Sequence, residues 1–365
     1  TEAISTLIEQ AWSLRLSNTA GALALLDKAQ CMIGSDLEDI AHLSPDNVLL
    51  GAHIIAMQAR CRYIIAEYTT AEQIAHHAFV IYEKYEDEAG LANVFETLGL
   101  IQWSAGVQAT SLENLFKSLT LYRKLGDKVS EARTLNVIGL VYNRLGDFGN
   151  ALEYLLQALP LHRELGDQVS EYRCIGNLGI IYAEHGDYET ALQHYRTCLA
   201  YEQSNNDKRG QCKAFNNIGV TYTLMKDYPR ALEHIMQGLE LLRDIGDKNG
   251  IGMALCNLAE VHIGLENYKD AYTYAMESLA IRENIGDKTG MAGSLICLGD
   301  LLTRIEEYSE ALECLQRALT YTQEISTTIS QYITHEKLYV LYRKIGDMPR
   351  ALEHLEQFHN IRQRV

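Results

Sequence analysis

Every 40 residues this chain returns to the same place. Ala71, Ser111, Ala151, Ala191, Ala231, Ala271, Ala311 and Ala351 stand one period apart, seven steps without a slip. A strict period of this length means a stack of one supersecondary unit, each copy packed on its neighbours. That overrides the two or three globular domains that 365 residues would otherwise suggest. Such an array is built to hold something rather than to transform it.

One unit, residues 127–166, shows the construction. Gly126-Asp127 pairs a glycine suited to the left-handed end of one helix with an aspartate suited to cap the next. Apolar residues then recur at Leu135, Ile138, Val141, Tyr142 and Leu145, the 3.6-residue helical period. Gly146-Asp147 repeats the stop-and-cap signal, and a second helix follows with Leu152, Leu155, Leu156, Leu159 and Leu165 on its apolar side. Two helices of about 17 residues joined by two-residue turns lie antiparallel.

The same grammar runs down the chain. Turns between units read Gly126-Asp127, Gly166-Asp167, Asn206-Asp207, Gly246-Asp247 and Gly286-Asp287, with asparagine replacing glycine because it tolerates the left-handed conformation. Gly99, Gly139, Gly179, Gly219, Ala259 and Gly299 share one register of the first helix, where a missing side chain lets the paired helix approach. In the second helix, Ser118, Ala158, Cys198, Gly238, Ser278 and Ala318 each precede a leucine, small beside large, as interdigitating helices require.

The set Gly179, Tyr182, Ala191 and Cys198, with copies at Gly139-Tyr142-Ala151-Ala158 and Gly219-Tyr222-Ala231-Gly238, resembles a tetratricopeptide repeat (TPR). The usual period of that repeat is 34 residues, so these helices are longer. The longer form, with Asn177–Tyr182 and Leu165–Asp167 as its phrases, is similar to the class in kinesin light chains and Pins-type polarity adaptors, and to N-terminal sensor regions of bacterial signalling proteins. The resemblance covers residues 51–365 and implies an all-α fold, a right-handed TPR superhelix (α-solenoid) of antiparallel helix pairs. Residues 1–47 are expected to form an irregular helical pair with a linker at 35–47, and 48–365 about eight 40-residue helix pairs.

Departures from the pattern carry their own expectations. Ala105-Gly106-Val107-Gln108 replaces the Gly-Asp turn, and Ile325-Ser326-Thr327-Thr328 lacks it, so the helices there merge or bend differently. Pro229 and Pro349 suit a first helical turn. Pro160 lies mid-helix, where it removes a hydrogen bond and is expected to kink the helix.

Composition narrows the function. Net charge is −16, the wrong sign for a nucleic-acid footprint over the whole chain. No run of roughly 18 apolar residues and no signal-peptide pattern are present, so no membrane partner is expected. Eight cysteines are scattered singly with no C-x-x-C pair, which fits reduced thiols in a cytoplasmic protein and no metal or other cofactor. Enzymatic signatures are missing too. His194, His234 and His354 recur at one repeat register, which packing explains better than catalysis, and His76-His77 lacks a further ligand at helical spacing. Gly286-Asp287-Lys288-Thr289-Gly290 is a turn between units and not a phosphate loop. The 22 tyrosines, among them Tyr142, Tyr182, Tyr222 and Tyr342, also sit at repeat positions. A non-enzyme is expected.

In a TPR superhelix the first helix of each unit lines the concave face, so its non-packing positions are read as columns. Two residues before the repeat glycine stand Thr97, Val137, Asn177, Asn217, Asn257 and Cys297. One turn earlier come Asn93, Arg133, Arg173, Lys213, Met253 and Gly293, and one residue after the glycine Leu100, Leu140, Ile180, Val220, Glu260 and Asp300. An asparagine amide offers donor and acceptor together, and so pairs with the N–H and C=O of an extended peptide regardless of its sequence. Arg133, Arg173 and Lys213 flank that ladder at helical spacing and suit carboxylates or phosphate, with Asn136, Asn216 and Arg144 extending the set. Glu260 and Asp300 enter toward the C-terminal end and give the groove a direction. Similar proteins hold extended peptides on an asparagine ladder in this register; the carboxylate clamp of chaperone-binding TPR adaptors is only partly matched.

The expected function is a protein- or peptide-binding scaffold, the adaptor or sensor region of a signalling protein. Arg362 and Arg364 at the tip of the last helix suit an array that continues into an output domain. Two alternatives stand beside it: a receptor for a small peptide signal that changes superhelix compaction, or a homo-oligomerisation module using an exposed apolar end at Tyr339, Leu341 and Tyr342.

Overall fold

A computed structural model describes residues 2–33, 44–325 and 328–362, and every element among them is a helix. The chain divides into two compact units, Thr1–Cys174 and Ile175–Val365. The first contains α1 (Glu2–Leu14), α2 (Thr19–Ile33), α3 (Pro45–Ile64), α4 (Tyr68–Lys84), α5 (Glu88–Ser104), α6 (Gln108–Leu125), α7 (Lys128–Arg144) and α8 (Phe148–Glu164). Helix α9 (Gln168–Glu184) is divided between the units. The second unit continues with α10 (Tyr188–Ser204), α11 (Lys208–Leu224), α12 (Tyr228–Ile245), α13 (Lys248–Gly264) and α14 (Tyr268–Ile285). It ends with α15 (Lys288–Arg304), α16 (Tyr308–Glu324), α17 (Thr328–Ile345) and α18 (Met348–Arg362).

Each helix starts and stops for a local reason. The Asp127 carboxylate accepts the Ser130 N–H at 3.1 Å, and Asp147, Asp227, Asp247 and Asp287 cap their helices in the same way. One such cap is worth about 1 kcal/mol. Gly126 sits at φ 70°, and Asn206 takes the same left-handed place at φ 54°. The turn demands this geometry even where the residue resists it, since Ala66, Glu86, Lys226, Glu266 and Glu306 also adopt positive φ. Pro45 opens α3, so 45–47 are helical, while 35–43 of the expected linker lie outside the described residues. Helix α8 runs on through Pro160 without ending. Helices α16 and α17 are separate; Ser326 and Thr327 between them, and Arg364, are outside the described residues.

The repeat glycines mark where paired helices touch. A Cβ on Gly139 would stand 2.8 Å from Leu155 Cγ and 3.0 Å from the Ala151 carbonyl, and one on Gly299 2.5 Å from Leu315 Cγ. Leu135, Ile138 and Leu155 in the first unit, and Leu192, Ile218, Ile235 and Leu258 in the second, are fully or almost fully buried around such contacts. Each contributes about 2–3 kcal/mol. The small position also seals backbone: Ser118 and Ser278 donate to the carbonyls of Ala92 and Gly252.

Of the apolar C-terminal residues expected to be exposed, Leu341 and Tyr342 are buried and Tyr339 is half-buried. Leu341 is 0% and Tyr342 5% exposed, packed in a cluster with Leu338, Leu315 and Ala351, because α18 folds back over them. Leu341 and Tyr342 therefore offer no free surface for self-association.

Within each unit the first helices of successive pairs pack on one another: α3 with α5 and α5 with α7, then α11 with α13, α13 with α15 and α15 with α17. Second helices of successive pairs make at most marginal contact. Each unit therefore curves toward its first helices, and these line its inner face.

Candidate functional site

The inner face of the second unit gathers Lys213, Asn216 and Asn217 on α11, Asn257 and Glu260 on α13, and Asp300 on α15. Asn177 belongs to the same unit on α9. Their helical spacing explains the grouping: residues three and four apart share one face.

At the centre is an amide bridge. Asn257 donates through Nδ2 to Asn216 Oδ1 at 2.7 Å, joining the first helices of adjacent repeats. Each amide keeps its remaining donor or acceptor capacity for a ligand. Asn217 is half-buried beside it, and its side-chain amide makes no hydrogen bond among the described residues. Asn177 is already engaged by a neighbour.

The two ends of the face carry opposite charge. Lys213 is exposed and makes no ion pair among the described residues. Glu260 is exposed as well, yet the surrounding walls thin its water shell: burial, reinforced by the charge of Asp300 and opposed by Lys337, raises its pKa above the ordinary carboxylate value. Asp300 is different. Lys337 Nζ donates to it at 2.8 Å and Arg304 Nε at 2.9 Å. Burial pushes its pKa up, but these two cations outweigh that and hold it below the usual range. Asp300 is thus a tie between repeats in this structure, whereas Glu260 makes no ion pair among the described residues.

In the first unit the expected cations divide in the same way. Arg133 grips Glu96 as a fork, Nε to Oε1 and Nη2 to Oε2, both at 2.7 Å. Tyr122 donates to Glu96 Oε2 at 3.3 Å, and Arg60 stands 3.5 Å from Oε1. The Glu96 side chain is 1% exposed; burial alone would raise its pKa, but Arg60 and Arg133 bring it below the ordinary value. Arg133 is therefore committed to an internal strut. Asn136 has a neighbour as partner, whereas Arg144 and Arg173 make no ion pair among the described residues.

A sequence relation underlies the difference. The acid that holds Arg133 lies 37 residues before it. The same offset leads from Arg173 to Asn136 and from Lys213 to Gly176, neither of which offers a carboxylate.

Several column residues expected to face the groove are instead packed. Thr97, Val137 and Cys297 are 2%, 8% and 4% exposed, because their column lies at the seam between first helices; only the asparagines reach past it. The recurring histidines each pack on a tyrosine of their own helix pair. His194 lies on Tyr182 with centroids 5.5 Å apart, His354 on Tyr342 at 5.4 Å, and Tyr154 on Tyr142 at 5.5 Å, while His234 meets Tyr222 edge-on. Among the described residues no three His, Cys, Asp or Glu converge as metal ligands.

A cavity of about 590 Å³ opens where α11, the end of α12 and the start of α13 meet, lined by Lys213 and Asn216 together with Arg209, Lys248 and Met253. Arg209 and Lys248 escaped the sequence reading because neither lies in the columns beside the repeat glycine.

The tetratricopeptide repeat profile matches residues 130–204, 171–244, 210–284 and 250–324, together more than half of the chain. A profile for anaphase-promoting complex subunit 5 matches 301–363. No curated protein matches the sequence. Among solved structures, the apo form of the quorum sensor NprR from B. thuringiensis is 15% identical, with 99% of each chain covered and a TM-score of 0.70. A Rap protein complexed with competence and sporulation factor is 14% identical, with 99% of this chain and 98% of that one covered and a TM-score of 0.69. NprR in complex with its cognate peptide NprX is 16% identical over 99% and 98%, with a TM-score of 0.65. At these identities the likeness is one of fold.

Proposed function

The chain belongs to the tetratricopeptide repeat family, and on that premise we propose that it is a peptide-binding scaffold, the sensor or adaptor part of a signalling system, and not an enzyme. The observation that carries this reading is the polarised inner face of the second unit: a bridge of asparagine amides with Lys213 at one end and Glu260 at the other, neither in an ion pair among the described residues. Asn216, Asn217 and Asn257 meet the backbone of an extended segment; Lys213 takes an acidic group and Glu260 a basic one, which sets the direction of the segment. Arg144 and Arg173, without an ion pair among the described residues, are the corresponding cations of the first unit. Two structures of like fold, NprR with NprX and a Rap protein with competence and sporulation factor, hold a peptide or factor, which supports a peptide-sized partner. No described helix is long and apolar enough to cross a membrane, and all eight cysteines are free thiols, which supports a reducing, cytoplasmic setting.

The test is selection from a peptide display library on the purified chain and on two charge-reversed variants. Lys213→Glu is expected to exchange the preferred acidic position for a basic one, and Glu260→Lys the converse. Selected sequences identical for all three proteins would overturn the reading.

A further inference from the structure

The cavity at the start of α13 breaks a charge pattern that three other first helices, α7, α11 and α15, share. In each of these the first residue is a lysine that reaches an acid 36 residues further on. Lys128 pairs with Glu164 at 2.6 Å, Lys208 with Asp244, and Lys288 with Glu324 at 2.8 Å. Lys248 holds the same position, but residue 284 is asparagine, and Lys248 makes no ion pair among the described residues. Arg209 and Lys213, one turn apart on α11, border the same cavity, are exposed, and make no ion pair either. Three cations without an ion-pair partner among the described residues thus surround one hollow in a chain whose net charge is −16.

The acid bordering the cavity is Asp247, whose Oδ1 is occupied by the Gly250 N–H at 3.0 Å. Glu202 lies nearby and turns toward Gly210, the space its side chain fills. Glu202 also acts electrostatically on Lys213, yet three cations against these two acids leave the cavity positive. Its floor is apolar, from Leu242, Ile245 and Met253.

We propose that this cavity is the receptor for an oxyanion on the bound segment, a carboxylate side chain or a phosphoryl group, with an apolar side chain beside it. The proposal rests on the peptide-binding reading above and names the chemistry of one end. Arg209 offers a planar fork to the oxyanion, Lys213 and Lys248 supply point charges, and Met253 covers the neighbouring apolar group. An anion there relieves the mutual repulsion of three like charges, so the site gains from the ligand what other repeats obtain from their own acids.

Isothermal titration uses three blocked peptides of sequence Gly-Leu-X-X-Leu-Gly, with X as glutamate, phosphoserine or glutamine. The glutamate peptide, the phosphoserine peptide or both are expected to bind about tenfold tighter than the glutamine peptide, and which of them does so identifies the source of the oxyanion. That advantage is expected to shrink as salt rises from about 50 to 300 mM. Arg209→Ala combined with Lys248→Ala removes the advantage, while Lys208→Ala, the paired lysine of the preceding repeat, retains it. A glutamine peptide bound as tightly as both others, absence of binding by both anionic peptides, or a double variant that keeps the preference overturns the proposal. Asn217→Ala with Asn257→Ala separates the two readings. If the pocket alone is wrong, that variant still weakens all peptides equally; if the scaffold reading is wrong, it changes none of them.

Discussion

Replacing Glu96 by glutamine leaves shape almost unchanged and removes one charge, which isolates what the buried carboxylate does. Its side chain is 1% exposed and holds Arg133 in a two-point grip, with Arg60 on the same oxygen. Removing one member of a buried pair costs about 3–5 kcal/mol, because the remaining charge is stranded. Arg133 and Arg60 retain 35% and 18% side-chain exposure, so water relieves part of that, and the lower end, about 3 kcal/mol, is expected. A repeat array need not unfold as one body, so the assay is hydrogen exchange of the α5 and α7 amides and not a global melt. Three kcal/mol corresponds to roughly 150-fold faster exchange. A cycle with Arg133→Met should show coupling of at least about 1.5 kcal/mol, since the double variant strands less charge. Protection altered less than about fivefold, with no coupling, would refute the strut and return Arg133 to the free cations of the groove. The same carboxylate sets an acid limit. Its folded pKa lies below the unfolded value of about 4.3, so its contribution is complete above that value and is lost as pH falls through the folded one.

His335 Nδ1 stands 2.8 Å from His354 Nδ1, and burial, then the charge of His354, lower its pKa to about 4 despite Glu353. The unfolded chain binds this proton first, so the last repeat is expected to lose stability as pH drops from about 6.5 toward 4, and His335→Phe to flatten that slope in a pH series of thermal melts. Gly139→Ala should cost about 1–3 kcal/mol through its clash with Leu155 and the Ala151 carbonyl, whereas Gly293→Ala, whose Cβ meets nothing within 4 Å, should stabilise α15 by about 0.5–1 kcal/mol, both read by urea titration. Gly176→Glu places an acid 37 residues before Lys213, and a Cβ there meets only Cys198 Sγ at 3.7 Å. It should bind Lys213 into a strut and weaken acidic-peptide binding severalfold without altering Lys213 itself; unchanged affinity would count against the offset rule.

The parts of the fold legible in the sequence are those that each repeat must solve alone. Gly126-Asp127 has to end one helix and cap the next, and Gly139 has to leave room for Leu155, so their spacing predicts geometry directly. His194, His234 and His354 were recognisable as packing because they share one repeat register, and each meets the tyrosine twelve residues earlier. What one repeat owes to its neighbour was harder to see. Leu341 and Tyr342 look like an open apolar end until α18 is known to cover them, and Thr97, Val137 and Cys297 look like groove positions until the adjacent first helix closes over them.

Arg133 and Lys213 make the physical reason explicit. They occupy one register of the repeat and differ by a conservative exchange, yet one is a strut and the other a free charge. The deciding residue lies a full repeat away, at Glu96 for the first and Gly176 for the second. Lys208 and Lys248 differ by the same logic, through Asp244 and Asn284. Coulomb attraction between adjacent helices is satisfied wherever an acid stands at the right offset, and a cation there is lost to ligands. Where asparagine or glycine stands at that offset, as at Asn284 and Gly176, the cation makes no ion pair among the described residues while the packing period continues undisturbed. Binding capacity in such an array is therefore carried by pairs of positions and not by columns, and it arises where a repeat keeps the cation but drops the residue that would have neutralised it.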